Sequence, residues 1–140
     1  MVASMSIKEA IDLLFAARER IDFYWNFYVV VVIAVVGWIV TRKEALTRST
    51  RILVTAAYMI AAVTNVVGLY GSYSFAEALR GDLLRMTAGS ALTDTRLALS
   101  EHSYVTQRFW AFVVHAAVGA TLLLVIWLGG RGSNRQNASQ

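Results

Sequence analysis

The sequence has no cysteine, no proline and only two histidines, and charged residues make up just 16% of its 140 positions. Each shortage excludes something. Without cysteine there is no disulfide framework, no thiol nucleophile and no thiolate metal site. His102 and His115, placed on one helix, would stand about 20 Å apart on different faces, so they cannot share a metal. The G-x-S-x-G, H-E-x-x-H and Walker patterns are absent. Glu77, Asp94, Glu101 and His102 fall in one charged stretch, which reads as a solvated face more simply than as a site. Enzymatic activity, a cofactor and a metal centre are therefore not expected.

What is present is apolar length. Hydrophobic residues make up 57% of the chain and the mean hydropathy is +0.54. Residues 23–40, 52–75 and 109–130 carry no charge at all. Each run exceeds the roughly 18 residues that mark a membrane span, since about 20 residues at 1.5 Å cross a hydrocarbon core of about 30 Å. The pattern predicts an all-α integral membrane protein with three transmembrane helices, at about 23–41, 52–73 and 108–129, in one domain over 1–130. A polar tail, 131–140, is expected to be disordered. The first run is not a cleaved signal peptide: it is too long, and Arg18, Glu19, Arg20 and Asp22 precede it where a purely basic region would stand.

The N-terminal segment reads as an amphipathic helix, with Ile7, Ile11, Leu14, Phe15 and Ile21 on one broad face. Ser6 and Glu9 have capping-box spacing, which places its start near Ile7. No glycine interrupts the run before Gly37, so the helix either continues into the first span or bends to lie flat on the membrane. A second amphipathic helical segment lies between spans two and three. Ser74 and Glu77 again have capping-box spacing, Gly89 and Ser90 are the expected break, and Asp94 is the expected cap of a helix running into the third span.

The net charge of +4 and pI of 9.8 would suggest nucleic acid in a soluble protein. Here the basic residues cluster beside the spans, where topogenic and headgroup roles explain them, so the expected partner is the lipid bilayer and not nucleic acid. Arg42, Lys43, Arg48 and Arg51 crowd the short first loop. Their density places that loop and the C-terminus in the cytoplasm and the N-terminus outside, in a membrane of the bacterial inner (cytoplasmic) type. Trp25 and Trp110 fall near one interface and Trp38 and Trp127 near the other, as interfacial anchors do. The aromatic cluster FYWNFY, residues 23–28, reads as part of that belt in preference to a stacking platform.

One stretch, TNVVGLYGSYS, residues 64–74, superficially matches a potassium-channel filter. The run before it is long enough to span outright, a long charged segment follows it, and Leu69 separates Gly68 from Tyr70. The filter reading therefore fails, and Gly68 and Gly71 read as packing and helix-exit positions.

Three polar residues interrupt the apolar runs: Asn26, Asn65 and His115. Counting along each helix puts all three about 6–10 Å from the same membrane face, in one layer. Small residues flank them at helical spacing, Ala57, Ala61 and Gly68 in the second run and Ala111 and Gly119 in the third, which turns these faces toward protein. The simpler reading of the layer is interhelical hydrogen-bond glue; the sharper one is a site for an ion, proton or solute with His115 as its titratable member. Three function classes follow. The first is a non-catalytic membrane subunit working through helix assembly, as a homo-oligomer or with other membrane subunits. The second is an oligomeric channel or carrier, and the third an interfacial lipid-binding protein or enzyme.

Overall fold

The computed structural model describes residues 5–42, 46–89 and 93–128; the tail 131–140, Lys43 and Ser90 lie outside them. Four helices follow in order: α1 (Ile7–Thr41), α2 (Arg48–Met86), α3 (Thr93–Glu101) and α4 (Tyr104–Leu128). No strand occurs among the described residues, and three helices are long and apolar enough to cross a membrane.

Local chemistry sets the helix ends. At the start of α1 the capping box is reciprocal: Glu9 N–H donates to Ser6 Oγ at 3.2 Å, and Ser6 N–H to Glu9 Oε2 at 2.8 Å. The Ser6 N–H bond, with a second from the Ser6 hydroxyl to Glu9 Oε2 at 2.9 Å, holds the Glu9 carboxyl below its ordinary value. Thr47 caps α2, accepting from Thr50 N–H at 3.3 Å. Past Met86 the chain turns at Gly89, whose φ of +83° lies in the left-handed region open to glycine.

One open alternative is decided and two expectations change. α1 is unbroken from Ile7, so the N-terminal segment is the first part of the long helix and not a separate one lying beside it. α2 does not restart at Ser74, because nothing in residues 52–86 breaks an α-helix; it has 39 residues, about 58 Å at 1.5 Å each, nearly twice a bilayer core. The helix begun at Thr93 does not run into the last one: it stops at Glu101, and Tyr104 starts anew.

The chain divides into two compact units, Met1–Trp25 with Val67–Ala111 and Asn26–Val66 with Phe112–Gln140. The core of the first unit is Ala17, Ile21, Leu69, Tyr73, Ala76, Tyr104 and Ala111. Alanines at these contacts let backbones approach, and Gly68 goes further: a Cβ there would fall on the Tyr24 ring, with the Tyr24 Oη 2.6 Å away. Trp25 Nε1–H donates to Tyr73 Oη at 3.1 Å.

The break before α4 is spliced by one ion pair. Glu77 receives Arg80 Nε–H at 3.0 Å and Nη2–H at 2.6 Å, and Tyr104 N–H, a free donor at the start of α4, at 3.0 Å. Arg80 Nη1–H donates to the Leu99 carbonyl, in the last turn of α3, at 2.8 Å. The pair thus satisfies an orphan acceptor of one helix and an orphan donor of the next.

In the second unit the buried residues include Tyr28 on α1, Tyr58 and Asn65 on α2, and His115, Leu122 and Ile126 on α4. Along α2 the buried positions Tyr58, Asn65, Leu69, Ser72, Ala76, Leu79 and Leu83 advance by one step of seven and then by alternating steps of four and three, with Tyr73 buried beside Ser72. That is the repeat of about 3.5 residues that keeps one seam of a helix against its partners.

Candidate functional site

Two of the three polar residues of the apolar segments meet in the second unit. Asn65 is 1% exposed and His115 5% exposed, and His115 Nε2–H donates to Asn65 Oδ1 at 3.0 Å. Asn65 lies on the α2 seam, and on α4 His115 falls in line with buried Ala111, Leu122 and Ile126, at steps of four, seven and four, so each helix turns its polar group onto the other. The third sequence candidate, Asn26, is not with them: it is exposed. Two residues along α1 is a rotation of about 200°, so the helix that presents Tyr28 to the core turns Asn26 away from it.

Tyr28 occupies the place expected of Asn26. Its ring lies on the His115 imidazole, with centroids 3.9 Å apart and planes 30° apart. Its hydroxyl donates to the His115 carbonyl at 3.3 Å and lies 3.2 Å from the Tyr58 hydroxyl. A phenol has one proton, so with Tyr28 donating to the carbonyl, Tyr58 donates to Tyr28. The result is a directed chain, Tyr58 to Tyr28 to the backbone of α4, beside the His115–Asn65 pair. Gly119, one turn after His115, makes room for it: a Cβ there would stand 3.2 Å from Tyr58 Oη.

Tyr28 falls in the FYWNFY cluster, which reads as an interfacial belt, and neither it nor Tyr58 is among the polar candidates of the sequence. A signal for Tyr58 does exist. It stands well inside the uncharged run 52–75, away from either interface, and seven residues before Asn65 on the same seam.

The small residues are not all alike in role. Ala111 is buried, Gly68 lies under Tyr24 and Gly119 under Tyr58, whereas Ala61 is half-buried and Ala57 exposed. Ala57 lines an open apolar recess of about 310 Å³ with Val31, Ala34, Val35, Trp38, Val54 and Tyr58.

The tryptophans also divide. Trp38 and Trp127 are partly exposed and sit with arginines. Arg42 lies over the Trp38 ring at 4.6 Å, Arg51 Nη1–H donates to the Trp127 carbonyl at 3.1 Å, and Trp127 Nε1–H donates to Thr55 Oγ1 at 3.2 Å. In the first unit Trp110 is exposed, while Trp25 is half-buried with its N–H bonded to Tyr73, a packing contact. Arg108 there donates to Ser74 Oγ at 3.1 Å and lies over the Tyr70 ring at 4.7 Å.

Chemically, the cluster of Tyr28, Tyr58, Asn65 and His115 contains no carboxylate. Among the described residues no three His, Asp or Glu side chains come together, and no buried side-chain polar atom lacks a hydrogen-bond partner. No protein-family model, curated protein or solved structure matches the chain.

Proposed function

We propose that this protein is a non-catalytic integral membrane protein that works through helix assembly, as a homo-oligomer or as a subunit of a membrane complex. The observation that carries the reading is a contrast between the inside and the outside of its apolar helices. Inside, the polar groups Tyr28, Tyr58, Asn65 and His115 bond one another, which suits a structural lock. Outside, large apolar side chains are bare: Val40 is 75% exposed, and Leu53 and Ile60 are each 70% exposed. Such surface is stable against lipid or against other apolar helices and not in water.

In this reading α1, α2 and α4 span a cytoplasmic-type membrane. The amphipathic N-terminal part of α1, the end of α2 and α3 stand beyond its outer face. The arginine-rich first loop anchors the inner face with Trp38 and Trp127. Exposed Leu13 and Leu97, outside the apolar runs, add apolar surface for partners. The test is expression of the full chain, alkaline carbonate extraction of membranes, and native mass spectrometry in mild detergent. Retention in the membrane pellet and a defined oligomer or co-purifying membrane protein are expected. A carbonate-soluble chain overturns the membrane placement, and a strict monomer without protein partners overturns assembly.

A further inference from the structure

We propose that the first unit holds a binding site for a single-chain anionic amphiphile, an acyl chain ending in a carboxylate or phosphate. The site is a partly open cavity of about 350 Å³ lined by α1, the end of α2, α3 and the start of α4. That volume lies at the small end of ligand pockets, roughly 300–1,000 Å³, with room for one chain and not two. The inference concerns the part of the molecule outside the apolar runs and stands independently of the assembly reading.

Three features point to the occupant. The walls are apolar, with Ile7, Ile11, Leu14 and Phe15 from α1, Leu83 from α2 and Leu99 from α3. The charged side chains on the lining are basic, Arg18 and Arg80, with no carboxylate among them. Arg80 is committed to Glu77 and to the Leu99 carbonyl. Arg18, by contrast, is exposed and forms no ion pair among the described residues, so it is the cation available to an anionic head.

The third feature is α3 itself. This nine-residue helix buries none of its side chains, and Leu97 is 60% exposed. A helix laid over an apolar cavity without a core beneath it lacks the packing that normally stabilises so short an element. An acyl chain in the cavity supplies that core, and Arg18 at its edge holds the head by a charge-assisted hydrogen bond. Fluorescent or radiolabelled probes are unnecessary, because the order of α3 reports occupancy.

The experiment follows hydrogen–deuterium exchange of residues 93–101 in the full chain, reconstituted in phosphatidylcholine nanodiscs and titrated with laurate. Dodecanol serves as the uncharged chain of equal length and lauryl phosphate as the second anionic head. Laurate and lauryl phosphate are expected to slow exchange in α3 saturably, and dodecanol to require about tenfold more, the equivalent of about 1.4 kcal/mol from the ionic contact. Arg18→Gln is expected to raise the half-saturating laurate concentration about tenfold and leave dodecanol unchanged. Ala98→Trp, which fills the cavity from α3, is expected to abolish the response. The proposal is overturned if laurate leaves α3 exchange unchanged, or if laurate and dodecanol act alike in both wild type and Arg18→Gln, since that is simple partitioning into lipid. It is also overturned if Ala98→Trp, folded by circular dichroism, responds as wild type does.

Discussion

His115 and Asn65 hold each other's polar groups in a region where neither has water to turn to. Removing one leaves the other's atom buried, whereas removing both restores an apolar contact. A double-mutant cycle with His115→Leu and Asn65→Leu, read by thermal unfolding in detergent, is expected to give a coupling of about 0.6–2 kcal/mol, the range of interhelical hydrogen bonds in membranes. Gly119 offers a second, sharper readout. Alanine there improves helix propensity by about 0.5–1 kcal/mol but meets the Tyr58 hydroxyl at 3.2 Å. Gly119→Ala is therefore expected to be neutral or destabilising beside Tyr58, and stabilising once Tyr58→Phe removes the oxygen. Equal effects in the two backgrounds would show that the hydroxyl does not occupy this space.

Among the elements, the join between α3 and α4 depends on a single carboxylate. Glu77 is held below the ordinary carboxylate value, first by its hydrogen bond from Arg80, with the Tyr104 N–H and the Arg80 and Arg108 charges adding to it and burial opposing. A depressed folded-state value means that the contribution is present above the unfolded value, about 4.3, and is lost as pH falls through the folded one. Thermal stability of the full chain is thus expected to fall in acid below about pH 4, and Glu77→Gln to flatten part of that fall. At pH 7 the same variant is expected to cost about 1–2 kcal/mol, the low end for charged hydrogen bonds because the pair is partly exposed. Glu9 titrates with the same sign, so the comparison with Glu77→Gln is what isolates this pair. Of this join only the i,i+3 spacing of Glu77 and Arg80 is legible in the sequence. Ser74 and Glu77 have the spacing of a local cap, yet Ser74 pairs with Arg108, and Glu77, besides Arg80 three residues on, takes the Tyr104 N–H, both far along the chain. Spacing within a segment carries no information about such partners.

For the whole molecule, the proposed orientation is open to a direct test that the composition favours. The chain has no cysteine, so any thiol introduced is unique. With membrane-impermeant maleimide on intact cells, Ser6→Cys is expected to label and Thr47→Cys only after permeabilisation, because the basic first loop is retained in the cytoplasm. The reverse pattern would invert the topology without touching the fold.

What the sequence determined by itself is the part written in composition and in neighbours a few residues apart. The three apolar lengths, the all-helical class, the reciprocal cap at Ser6 and Glu9 and the turn at Gly89 belong to it. Hydropathy and capping act locally, so each is complete within its own segment. The tertiary structure decided which side of each helix faces inward. A helix apolar all round has no amphipathic stripe from which to read its rotation. Depth alone therefore grouped Asn26 with Asn65 and His115, since it measures position along the axis and not around it. The seam that settles rotation exists only when helices pack, and there it selects Tyr28 over Asn26, two residues and about 200° away.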